Sequence, residues 1–173
     1  MPNNKLPFRD QLIAWRHYLH QHPETAFEEK TASKLVAEEM RGMGIDVAEG
    51  IGGTGVVGTL KVGDGTGCIG IRADMDALNI QECSQHDHVS QNPGKMHGCG
   101  HDGHTVTLLG AAKLLSERKN FNGTVRSFSS LLKNRGTAPR PCLTTGCSSV
   151  FPSKKSTVST TLRSCLPVPC IPG

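Results

Sequence analysis

Every acidic residue and every histidine of this 173-residue chain lies before residue 127. Residues 1–126 carry 15 Asp+Glu, 8 His and 13 Lys+Arg, a net charge of −2. Residues 127–173 carry six basic residues and no Asp, Glu or His, a net charge of +6. Six of the ten prolines, four of the seven cysteines and fifteen Ser+Thr also fall in this last stretch. A folded segment of that length normally draws on carboxylates for caps and ion pairs. The chain therefore divides into residues 1–126, which read as one folded unit, and residues 127–173, a Pro- and Ser/Thr-rich tail expected to be disordered.

The averages exclude several classes. No apolar run reaches the roughly 18 residues of a membrane span. The start, MPNNKLPFRDQL, lacks the apolar stretch of a secretory leader, so a cytoplasmic protein is expected. A net charge of +4 without a basic stripe interleaved with aromatics gives no case for nucleic acid. With 36% hydrophobic and 4% aromatic residues, the chain has little with which to build a large core.

The first unit alternates between helical and strand patterns. Phe8–His22 places Leu12, Trp15 and Leu19 on one stripe and is stopped by Pro23. Thr25-Ala-Phe-Glu28 has the spacing of a capping box, opening a helix that runs to about Met43 with Ala32, Leu35, Val36 and Met40 inward. Gly55–Val62 and Cys68–Ala73 read as strands, the second apolar enough for burial on both faces. A long loop over about 76–103, a helix from His104 to Glu117, and a turn and strand from Phe121 to Arg126 complete an α/β sheet covered by helices.

The densest chemistry is Met96-His-Gly-Cys-Gly-His-Asp-Gly-His104. Glycines let the backbone wrap a small object. Cys99 and His101 can meet on one metal ion as thiolate and imidazole, with Asp102 and His104 beside them and a carboxylate free to orient an imidazole. A second cluster, Arg72-Ala-Asp-Met-Asp76, follows the buried strand, where open α/β sheets place their sites. Asp74 and Asp76 are two apart, so an extended chain points both to one side. Gly53-Thr-Gly-Val-Val-Gly58 matches a dinucleotide fingerprint but leads into a strand instead of a helix, so nucleotide binding is set aside. The tail pairs Cys142/Cys147 and Cys165/Cys170 lack the tight spacing of a zinc knuckle.

RHYLHQHPETAFEE, TGVVGTL, IRADMDAL, PGKMHGCGHDGHT, LLGAAKLL and FNGTVR, in this order over residues 8 to 126, resemble the N-terminal part of the bacterial metal-dependent amidohydrolases. These are the hippurate hydrolase and N-acyl-amino-acid amidohydrolase group of the aminoacylase/carboxypeptidase superfamily. The resemblance implies an incomplete metallo-aminopeptidase/carboxypeptidase-like α/β domain, with a smaller lid domain inserted later and homo-oligomeric full-length relatives. It implies two divalent ions (Zn, Mn, Ni or Co), a small N-acyl amino acid as substrate, Cys99 and His101 as metal ligands, and Asp74 and Asp76 in the acidic motif beside them. Asn79, where the family has proline, and Gly98, often alanine there, depart from the pattern without touching the ligands.

The larger departure follows Arg126. The family continues Phe-Ile-Phe-Gln-Pro-Ala-Glu-Glu, its first Glu the general base and its second a metal ligand. This chain reads Ser-Phe-Ser-Ser-Leu-Leu-Lys-Asn over residues 127–134. These residues allow the codons TCA, TTT, TCC, AGC, CTG, CTG, AAG and AAC, which read one base over spell the family's stretch. The same shift continues to Pro152 in a family-like sequence. The tail thus reads as a frame-shifted translation, produced by one base lost at the Arg126 codon. The Glu pair is replaced by Lys133 and Asn134, so no general base is retained and a chain without turnover is expected. A noncatalytic metal-binding or interaction module is the alternative.

Overall fold

The computed structural model describes residues 7–129 and, for the backbone alone, residues 157–160. The tail expectations for the remaining residues, disorder included, lie outside the described residues, as do Lys133 and Asn134.

The elements are α1 (Arg9–Gln21), α2 (Lys30–Gly42), β1 (Asp46–Ile51), β2 (Gly55–Val62), β3 (Cys68–Ala73), α3 (His101–Arg118), β4 (Gly123–Ser129) and β5 (Thr157–Thr160). The five strands form one mixed sheet in the order β1-β2-β4-β3-β5. β1 and β2 make an antiparallel hairpin, and β2 runs antiparallel to β4 with Val57 opposite Phe128. β3 lies parallel to β4, Ile69 opposite Val125, and parallel to β5. A parallel neighbour cannot be reached by a tight turn, so the chain leaves β3, crosses through a long loop and α3, and returns as β4.

All three helices share one core with the sheet. Trp15 and Leu19 of α1, Val36, Ala37 and Met40 of α2, and Val106, Leu108, Leu109 and Ala112 of α3 close on Val56, Leu60, Ala73 and Met75. Polar ties hold the layer together: the Trp15 indole donates to Glu39 at 2.9 Å and Lys113 to Gln11 at 2.8 Å. The capping box is not what starts α2. Thr25 does donate to Glu28 at 2.6 Å, but the helix begins later, and its free Thr31 and Ala32 N–H groups donate to the Glu24 carboxylate at 2.8 and 3.1 Å. A carboxylate there meets both the unpaired donors and the positive end of the helix dipole.

Three expectations need correction. Burial of β3 on both faces holds only for its later residues: Gly70 and Arg72 on one face and Ala73 on the other are buried, whereas Ile69, at the start of the strand on the same face as Ala73, is 55% exposed. β1 was not foreseen, because an edge strand with four exposed residues in six shows no apolar alternation. α3 begins at His101 instead of His104, which puts the whole His-Asp-Gly-His segment in its first turn.

β4 continues three residues past Arg126. Ser127, Phe128 and Ser129 pair with β2 and β3 on either side and are 4%, 9% and 0% exposed. The Ser129 hydroxyl donates only weakly, to the Met75 sulfur at 3.2 Å. Backbone pairing tolerates serines here, but the position is one where a strand normally buries apolar side chains.

Gly123 opens β4 at φ +148, where an added Cβ would stand 2.7 Å from the Gly67 carbonyl oxygen. That oxygen is fixed by the Thr124 N–H at 2.8 Å. Gly123→Ala is therefore expected to destabilise the fold by about 1–3 kcal/mol, seen as a lower urea midpoint with unchanged slope. Glu29 offers a second check. It is fully buried, its Oε2 accepts from Thr54 at 2.6 Å, and its Oε1 has no partner among the described residues. Burial pushes its carboxyl above the usual value, opposed by the Thr54 hydroxyl. A raised folded-state pKa means stability is full below the unfolded value and is lost as pH rises through the folded one. Glu29→Gln is expected to raise the denaturation midpoint at pH 7 while leaving it nearly unchanged at pH 4.

Candidate metal centre

The centre is built where β3 ends and α3 begins. After Ala73 the chain alternates: Met75 turns into the core at 1% exposure, which sends Asp74 and Asp76 to the opposite side. Thr105 Oγ1 donates to the Asp74 carbonyl at 3.0 Å and fastens the strand exit to α3. Reciprocal hydrogen bonds between Leu78 and Met96, at 2.9 and 3.0 Å, clip the ends of the intervening loop together. The turn into α3 passes through Gly100 at φ +74, a conformation that favours glycine.

His101 is the first residue of α3 and is 9% exposed. Its Nδ1 lies 2.8 Å from the Asp76 carbonyl and 2.9 Å from Asp76 Oδ1. A carbonyl only accepts, so Nδ1 carries the proton and Nε2 keeps a lone pair for a metal in the neutral ring. The Asp76 carboxylate is the main cause that raises the His101 pKa, with burial opposing it. His104 follows at i+3 on the same helical face. Asp74, His101 and His104 each present a donor atom within 4.8 Å of the other two. Imidazole and carboxylate donors at this separation fit a divalent cation. Asp74 also accepts from Arg72.

Cys99, two residues before α3, is exposed and free. The close groups of donor atoms among the described residues do not include it. Asp102 does orient an imidazole, but the ring is that of His20: Nδ1 donates to Asp102 Oδ2 at 2.9 Å, and Arg16 approaches the same oxygen at 3.4 Å. Buried His97 is pushed down to about 4 by loss of water around it, so its ring is neutral at pH 7.

The sequence did not reveal a second gathering of histidines. His20 of α1 meets Glu82, His86 and His88 of the long loop. Its signal was present in two short runs, Arg16-His-Tyr-Leu-His20 and Gln85-His-Asp-His88, but more than sixty residues separate them and neither has the spacing of a metal motif.

Residues 70–129 match Peptidase family M20/M25/M40. The chain is 50% identical over 113 residues to the hippurate hydrolase of Campylobacter jejuni, covering 65% of this chain and 29% of that one. It is 43% identical over 120 residues to the N-acyl-L-amino acid amidohydrolase of Geobacillus stearothermophilus, covering 68% and 32% respectively. Among solved structures it resembles a Bacillus subtilis dinuclear metal-binding peptidase of the M20 family, with a TM-score of 0.71 and 37% identity over 79% of this chain and 38% of that one. The chain thus spans about a third of the length of these relatives.

Proposed function

Because this chain carries part of a peptidase family M20 domain, we propose that it derives from a metal-dependent amidohydrolase acting on small N-acyl amino acids of the hippurate kind. The convergence of Asp74, His101 and His104, with His101 locked by Asp76, carries this reading. Cys99 joins them as a thiolate ligand, and the complete site holds two divalent ions. Such ions polarise the scissile carbonyl and lower the pKa of a bound water. The chain's own residues prepare the place: Asp76 sets the His101 tautomer, Thr105 fixes the Asp74 backbone, and Asp102 is engaged by His20 instead of competing for the ion. Hydrolysis adds water across the amide, giving the free acid and the amino acid. The three described cysteines, Cys68, Cys83 and Cys99, are free, in keeping with a reducing compartment such as the cytoplasm.

This chain itself binds metal without turnover in our reading, because the Glu pair of the family is replaced by Lys133 and Asn134. The buried serines support the frame shift that explains the replacement. Shifting the frame back makes Ser127→Phe, Phe128→Ile and Ser129→Phe, an apolar run suited to a strand paired on both sides. The test is release of glycine from hippurate by the frame-restored protein, with and without a chelator. Chelator-sensitive release supports the reading; no release from hippurate or any other N-acyl amino acid contradicts it.

A further inference from the structure

His20 stands between two carboxylates. Its Nδ1 is 2.9 Å from Asp102 Oδ2 and its Nε2 is 3.2 Å from Glu82 Oε1. Asp102 and Glu82 are 1% and 6% exposed. A neutral imidazole has one N–H. If the shorter contact, to Asp102, takes it, the Nε2 lone pair faces a carboxylate oxygen, which is repulsive unless a positive charge lies between them. His86 repeats the problem: its Nε2 is 3.1 Å from the same Glu82 Oε1.

One cation placed on Glu82 Oε1 would satisfy both contacts at once. The His86 ring is stacked on His88 at 3.9 Å, and His88 on His17 at 3.9 Å. Arg16 reaches the Asp102 end of the same network. The spacing fits: tetrahedral zinc with bonds of about 2.0–2.1 Å separates its ligand atoms by about 3.3 Å, against 3.1 and 3.2 Å here. The Ser90 N–H holds Glu82 Oε2 at 2.7 Å, which leaves Oε1 to ligate, and Asp102 supplies His20 with the carboxylate support typical of zinc-bound histidine.

We propose that His20, Glu82 and His86 form a divalent-cation site of the His2Glu type, suited to zinc and separate from the centre at Asp74, His101 and His104. Its ion ties the loop carrying Glu82 and His86 to α1, and through Asp102 to the first turn of α3. The proposal is independent of the amidohydrolase reading, because it uses none of the ligands of that centre.

The test is zinc titration of the 173-residue chain carrying Cys99→Ser and His104→Ala, which disable the other centre. One equivalent is expected to bind. Adding Asp102→Asn should weaken it by about 10–100-fold and adding His86→Ala by at least as much, whereas His22→Ala should leave it unchanged. In the chain without substitutions, the imidazole nitrogen resonances of His20 and His86 should shift together as zinc is added. Binding unaffected by His86→Ala would overturn the proposal, as would no shift of either resonance at saturating zinc. The resonance measurement decides the matter even if a substituted chain fails to fold.

Discussion

Restoring one base at the Arg126 codon is expected to convert a chain without measurable amidase activity into one that hydrolyses hippurate in a metal-dependent way. The restored reading makes Lys133→Glu and Asn134→Glu together and supplies the general base and a metal ligand. Loss of a general base alone typically lowers the rate by about 10²–10⁴-fold, and the missing ligand adds to that. Asp74 and Asp76 cannot substitute for the base: Asp74 is committed to the centre and to Arg72, and Asp76 to His101. In the present chain, Lys133→Ala is expected to be silent. A corrected frame that stops at once or lacks the Glu pair would count against the shift. So would a purified 173-residue chain that hydrolyses hippurate and loses activity on Lys133→Ala.

The second large effect concerns the centre itself. His101→Ala removes a ligand and also leaves the buried Asp76 carboxylate without its imidazole, so metal binding at the centre should fall below detection while Asp76→Asn weakens it by about 10–100-fold. Affinity in the unsubstituted chain should be modest and should rise with pH, because His101 must be neutral and Cys99 must lose its proton before either can ligate. Calorimetry across pH 6 to 8 reads both effects. Tight binding that is indifferent to His101→Ala would show that the ion sits elsewhere.

Local patterns carried much of the fold. α1 stops before Pro23, and β2 and β3 have the expected bounds, because their apolar periods and breakers are short-range signals. β1 was hidden by its exposure, and the start of α3 by glycines and polar residues that mask a helical turn. In the site, the aspartates and histidines of two compact motifs were legible, and the structure brings Asp74, His101 and His104 together. The partner of Asp102 was not legible. A carboxylate at 102 and an imidazole at 20 meet only because α1 packs beside α3, a tertiary fact with no trace in the spacing of either motif. For the same reason, the gathering around Glu82 could not be read from two histidine-bearing runs taken separately.

Cobalt titration of the 173-residue chain tests the metal centre most directly. Cobalt bound by Cys99 and His101 should give a thiolate-to-metal charge-transfer band in the near ultraviolet that grows with added ion and disappears in both Cys99→Ser and His101→Ala. No such band, or one that survives Cys99→Ser, would contradict a metal centre at the start of α3 that includes Cys99.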